Sequence, residues 1–288
     1  MNPAIANTTP DRNTAFDTLR AFITVLVVAH HAVLAYHPYA PPLGSFGAAN
    51  LLWAAFPVVD AQHWSGIDLF VGFNDAFFMS LMFLLSGLFV WPSLQRKGAG
   101  AFLRDRGLRL GLPFLISAAL LAPLAYYPAW LQRGGESGIG GFAQAWLALG
   151  VWPAGPAWFL WVLFAFDVVA ALAWRIAPGW AEAAGRRFAS RSPAVFFGWL
   201  AAIAVAAFVP LASFVDPSSW ASFGPFFIQT ARILLYLSFF AVGIAVGAWG
   251  SGAACSRRTT ASARAGCYGR TWRSPRISCS SPCSSPSS

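Results

Sequence analysis

The chain has 288 residues, of which 57% are hydrophobic and only 10% charged, against roughly 25% charged in an average soluble domain. So few charges cannot cover a globule in water, which excludes a soluble enzyme or carrier and leaves hydrocarbon as the solvent. The formal net charge of +9 does not indicate nucleic acid as a partner either, because apolar runs of spanning length part the basic residues and no single basic patch forms.

A membrane span takes about 20 largely apolar residues, and six segments qualify: 21–37, 68–91, 108–127, 156–176, 193–214 and 225–249. The predicted architecture is an all-α polytopic transmembrane bundle over 1–250 with a separate tail over 251–288. The first span follows Arg20 and carries His30 and His31. Two histidines interrupt the uniformly apolar core that a cleaved signal would need, so a retained helix is expected. Arg20 and His31 are separated so that on a helix they share a face within about 20°, with about 16–17 Å of rise between them. His30 points about 80–100° away from that face. Ionisable groups inside a bilayer mark function or structural pairing. His31 is therefore either a general base, a role suited to neutral imidazole, or a histidine bonded between helices for packing. Asp17, one turn before Arg20, is placed to hold it.

The connection 38–67 carries Asp60 and His63, whose spacing matches no metal template, and no metal site is expected. After the second span come Arg96, Lys97, Arg104, Arg106 and Arg109. Arg106 and Arg109 are one helical turn apart at the mouth of the third span. Two guanidinium forks so placed can grip one polyphosphate, although basic residues at such an end also serve topology and anionic-lipid contact. The apolar run 142–151 is too short to cross and is expected to be interfacial or re-entrant. Asp167 lies near the middle of the fourth span and Arg232 in the outer half of the sixth. Each needs a partner: the other one, Asp75, or a substrate. Snorkelling is also open to Arg232, and Asp167 is a candidate to orient His31. The chain has no GxGxxG opening a helix after a strand, no P-loop, no HExxH and no internal repeat.

All the basic residues except Arg133 and Arg232 fall before the first span, in the even-numbered connections, or after the sixth span. The positive-inside rule then makes the N-terminus cytoplasmic. Beyond residue 250 the chain turns rich in Ser, Arg, Cys, Thr and Pro and holds all four cysteines, Cys255, Cys267, Cys279 and Cys283. Their spacing fits no zinc template, and a reducing cytoplasm disfavours a disulfide framework. This tail is expected to be disordered; a sharper reading is that it is translated out of frame.

Five stretches carry a family resemblance: FDTLRA (16–21) followed by His30 and His31, FFMSLMFLLSGLFV (77–90), FLRDRGLRLGLPF (102–114), PAWFLW (156–161) and YLSFFAVG (236–243). In this order and on these spans they resemble the acyltransferase 3 family of membrane O-acyltransferases, nearest its branch that includes glucan biosynthesis protein C. The resemblance covers roughly residues 14–249. It implies transfer of an acyl group from cytoplasmic acyl-CoA to a hydroxyl of a glycan or other cell-envelope acceptor, in the bacterial inner membrane. Acyl-CoA is then a donor substrate, no cofactor is tightly bound, and membrane lipids are the remaining partners. The family's essential arginine and histidine map onto Arg20 and His31, and its Arg-x-x-Arg feature onto Arg106 and Arg109, which the resemblance assigns to the donor's phosphates. Asp167 and Arg232 gain no role from it beyond candidate substrate contacts. The family pattern runs about four spans further than this chain, so the expectation includes a truncated and inactive enzyme. Two other functions stay open on the residues: an exporter or transporter with Asp167, Arg232 and His31 along its path, and an assembly partner whose buried charges select neighbouring helices.

The orientation is directly testable. In a chain whose four cysteines are replaced by serine, Arg96→Cys is expected to react with a membrane-impermeant maleimide in inverted vesicles and not in intact cells. Reaction from the outside would turn the whole bundle over.

Overall fold

The computed structural model describes residues 14–47, 52–189, 191–217, 219–223 and 226–266. Six of its helical stretches are long and apolar enough to cross a membrane: Thr14–Tyr36, Ile67–Gly87, Val90–Gln132, Gly155–Ile176, Pro193–Phe214 and Thr230–Gly250. The chain is thus an all-α multi-pass membrane protein. We call inner the end of the bundle at which the first helix begins, and outer the end at which it finishes.

Helix α1 (Thr14–Val33) tightens into a 3-10 turn at Leu34–Tyr36. A short α2 (Leu52–Ala55) interrupts the outer connection, and α3 (Ile67–Gly87) returns to the inner end. The connection between the second and third expected spans is itself helical. Helix α4 (Val90–Arg106) runs through it and bends at Gly98, whose φ of 74° lies in the left-handed region that only glycine adopts cheaply. The bend brings the Lys97 ammonium onto the Asp105 carboxylate; on a straight helix eight residues of rise, about 12 Å, would keep them apart.

Helix continues through α5 (Leu112–Ile116) and α6 (Ala122–Gln132), with a π-helical turn before each, at Gly107–Gly111 and Ser117–Leu121. Both turns have one cause. Proline lacks an N–H and its ring crowds the carbonyl four residues back. Pro113 and Pro123 therefore act on the carbonyls of Arg109 and Ala119, each in the middle of a π turn, and the wider spacing relieves the crowding.

The short apolar run near 142–151 is helix α7 (Ile139–Ala148), whose Phe142 packs edge-on against Tyr127 of α6. Helix α8 (Trp158–Ile176) runs back to the inner end, where α9 (Trp180–Ala189) lies between spans. Glu182 of α9 accepts hydrogen bonds from the Trp91 indole at 2.6 Å and from Gln95 at 2.9 Å. Helix α10 (Pro193–Phe214) buries only Ala207, as a helix bathed in hydrocarbon does. The expected start of the sixth span at 225 is corrected: a hairpin of β1 (Trp220–Phe223) and β2 (Phe226–Gln229) precedes it, with Trp220 opposite Gln229. After a 3-10 turn at Thr230–Arg232, α11 runs from Ile233 to Gly266. The stretch expected to be disordered from 251 is therefore helical backbone as far as Gly266, and the remainder of that tail lies outside the described residues.

The core joins α3, α4, α8 and α11, and aromatic rings tie α3, α8 and α11 together. Phe83 stacks on Tyr236 at 5.0 Å and meets Phe159 and Phe166 edgewise or tilted at 4.8 and 5.3 Å. Below this layer α3 and α11 touch backbone to backbone. A β-carbon on Gly87 would strike the Phe240 carbonyl, one on Gly243 the Leu84 carbonyl, and one on Gly247 the Leu88 carbonyl. Gly243 and Gly247 form the small-xxx-small pattern that lets membrane helices approach closely.

Gly247→Val forces these backbones apart and is expected to cost about 1–3 kcal/mol. In detergent, its thermal unfolding followed by tryptophan fluorescence falls well below wild type. Gly198→Ala on α10, where an added β-carbon meets nothing, leaves the transition in place.

Candidate active site

A cavity of about 590 Å³ opens in the outer half of the bundle. Its walls come from Thr24, Val27, His30 and His31 of α1, Asp75 and Phe78 of α3, the π turn at Ser117–Leu121 with the first half of α6, the first turn of α8, and Arg232 and Tyr236 at the head of the sixth span. Trp220 and Phe227 of the hairpin also line it, stacked on each other at 4.9 Å.

One wall is fastened from an unexpected place. The end of α2 and the turn after it, residues 54–57, line the cavity, and α6 with its capping Arg133 holds them. The Tyr126 hydroxyl donates to the Ala54 carbonyl at 2.8 Å. Arg133 donates to the carbonyls of Pro57 and Ala129 at 2.9 and 3.0 Å and to that of Phe56 at 3.3 Å. Gln132 accepts from the Val59 N–H at 3.0 Å and returns a bond to the same residue's carbonyl.

His31 is exposed to the cavity, and its Nδ1 lies 2.7 Å from the Val27 carbonyl. A carbonyl only accepts, so Nδ1 is the donor, and in the neutral ring Nε2 is then the acceptor. His30 also lines the cavity, although helical spacing had turned it away. It is buried, with Phe78 against its ring at 5.2 Å and the His31 ring at 5.2 Å. Its Nε2 faces the Asp75 carboxylate at 3.9 Å. Asp75 in turn meets Arg232: one guanidinium nitrogen donates to the Asp75 backbone carbonyl at 2.8 Å, and the other lies 3.8 Å from its carboxylate.

Arg20 lies lower on the stripe that Thr24, Val27 and His31 continue. Its guanidinium sits over the Phe89 ring, 4.3 Å from the centroid, and it does not line the cavity. Asp167 and Arg232 are not partners of each other, nor does Asp167 reach the cavity to orient His31. Asp167 is fully buried and meets Arg106, whose Nε is 3.4 Å from the carboxylate. Arg109 is exposed. The π turn that begins at Gly107 thus turns one guanidinium inward and the other out, and the two do not share a face as α-helical spacing implied. Among the described residues no group of three His, Cys, Asp or Glu side chains is placed to hold a metal.

Two pairings escaped sequence reasoning, His30 with Asp75 and Asp167 with Arg106. A cost argument gives Asp167 and Arg232 partners without saying which. The choice depends on how the helices dock.

A family model describing an acyltransferase domain, that of the acyltransferase 3 family, matches residues 13–261. Neither a curated protein nor a solved structure matches the chain. The match takes in all six spans, the stripe from Arg20 to His31 and the cavity above it, and on that extent the chain belongs to the acyltransferase 3 family.

Proposed function

We propose that this chain is a membrane O-acyltransferase that moves an acyl group from acyl-CoA to a hydroxyl of a glycan or another cell-envelope acceptor, in the bacterial inner membrane. The observation that carries the reading is the hydrogen bond that His31 makes beside the cavity. The ring's Nδ1–H is tied to the Val27 carbonyl, so Nε2 offers a lone pair in a cavity large enough for part of a sugar or an acyl chain.

In the proposed reaction His31 Nε2 takes the proton of the acceptor hydroxyl as that oxygen attacks the thioester carbonyl. The new C–O bond forms, the C–S bond breaks, and the departing thiolate recovers the proton from His31. No net charge or electron is left over. Arg20 organises the lower part of the same helix stripe. Arg106 and Arg109 are the proposed contacts for the donor's phosphates at the inner end. Arg106 is already steered by Asp167, so Asp167 acts on the donor through that arginine, and Arg109 supplies an exposed guanidinium. Arg232 belongs to the wall of the outer cavity, where the acceptor is proposed to lie.

The exporter reading loses a member, because Asp167 pairs with Arg106 instead of lining the cavity beside His31 and Arg232.

His31→Ala is expected to lower acyl transfer at least about a hundredfold, the usual scale of a lost general base, while membrane insertion is kept. Mass spectrometry of surface glycans from cells with the gene, without it, and with His31→Ala checks this. One ester should be present only in the first. An ester that persists with His31→Ala removes the base from the mechanism. Solute uptake by vesicles with no label passed from acyl-CoA would favour transport.

A further inference from the structure

Asp75 is not accounted for by the reaction just described. It projects from α3 into the cavity between two elements that carry positive or protonatable groups. His30 and His31 come from α1, with His37 beyond that helix's end, and Arg232 and Tyr236 come from the head of the sixth span. Its carboxylate is 3.9 Å from His30 Nε2 and 3.8 Å from the Arg232 guanidinium. Both are beyond hydrogen-bond reach. The side chain remains 41% exposed. The short contact in this cluster, Arg232 to the Asp75 carbonyl at 2.8 Å, uses the backbone and leaves the carboxylate unspent.

We propose that Asp75 is a positioning residue that balances charge for the histidine pair, offsetting Arg232 at rest and the imidazolium that His31 becomes during transfer. The proposal rests on the acyl-transfer reading of His31. With both imidazoles neutral, the cluster of Asp75 and Arg232 carries no net charge. When His31 takes the hydroxyl proton, a second cation appears in the same cavity, beside the His30 ring whose Nε2 faces the carboxylate. Charges that share a cavity of low effective dielectric interact more strongly than they do in water. Asp75 then lowers the energy of the protonated state relative to the resting one. Stabilisation confined to the transition state raises turnover and leaves donor binding alone.

This role separates from mere scaffolding by what happens when Arg232 is removed as well. Asp75→Asn leaves the Arg232 charge uncompensated and facing the incipient imidazolium. Replacing Arg232 too removes that repulsion, so a charge role gives recovery. A scaffolding role predicts further loss, because both sides of the α3–α11 contact have then gone.

The experiment uses the full chain in inverted membrane vesicles, with radiolabelled acetyl-CoA and succinyl-CoA as donor probes, and reads label passed to envelope material. Wild type, His31→Ala, Asp75→Asn, Arg232→Gln and the double variant are compared at equal membrane content. Asp75→Asn is expected to lower turnover about tenfold or more with the donor KM within about twofold, and the double variant to recover at least about threefold over it. Asp75→Asn at wild-type turnover, or a double variant no faster than Asp75→Asn, overturns the role of Asp75 and leaves His31 standing. Should Asp75→Asn fail to accumulate in the membrane, Arg232→Gln and the double variant decide. At equal membrane content, a double variant about threefold slower than Arg232→Gln with the donor KM unchanged supports the proposal, while equal rates, or a loss that falls on the KM, overturn it. A wild type no faster than His31→Ala defeats the acyl-transfer reading first, and the proposal with it.

Discussion

Glycines on α3 and α11 set the register on which the cavity depends. Gly87, Gly243 and Gly247 let the two backbones meet with no side chain between them, and both helices run from the outer end to the inner. Equal distances back from the contact therefore reach equal heights. Asp75 precedes Gly87, and Arg232 precedes Gly243, by a little over three turns each, about 17 Å of rise. The carboxylate and the guanidinium meet because the glycines meet. Slipping either helix by one turn would carry Arg232 about 5 Å from its partner and leave a guanidinium in hydrocarbon, which costs several kcal/mol. Packing and charge thus enforce one register together.

Much of the fold was readable from the residues, because the solvent itself selects for it. A bilayer admits only long apolar helices here, so the six spans and the stripe from Arg20 through Thr24 and Val27 to His31 follow from periodicity. What was not readable has local or long-range causes. The π turns at Gly107–Gly111 and Ser117–Leu121 depend on prolines in a continuing helix, where spacing rules written for the α-helix misplace Arg109 relative to Arg106. The strand at Phe226–Gln229 is as apolar as the helix after it, so composition could not part them. His30 was turned away from the site by helical geometry alone. It lines the cavity because the space wraps around the end of α1, toward Asp75 as well as along the His31 face.

Two charge levels result, and they differ in kind. The inner one, Arg106 with Asp167, is closed: the carboxylate is fully buried and its counter-ion lies against the Phe102 ring. The outer one, His30 with Asp75 and Arg232, is open, because the Asp75 side chain and His31 face free volume. A closed pair fixes the direction of a side chain. An open cluster can change its charge when a proton arrives.

Arg133 shows why an apparent exception to charge asymmetry need not weaken it. It is the basic residue that stands on an outer connection, and its charge makes no ion pair there among the described residues. The guanidinium caps the end of α6 through the Ala129 carbonyl and collects the carbonyls of Phe56 and Pro57 from the loop beside the cavity. Carbonyls at a helix C-terminus carry partial negative charge, so a cation is satisfied there without a carboxylate. The loop it holds is a wall of the cavity, so a residue that runs against the topological trend is kept for the shape of the space above His31.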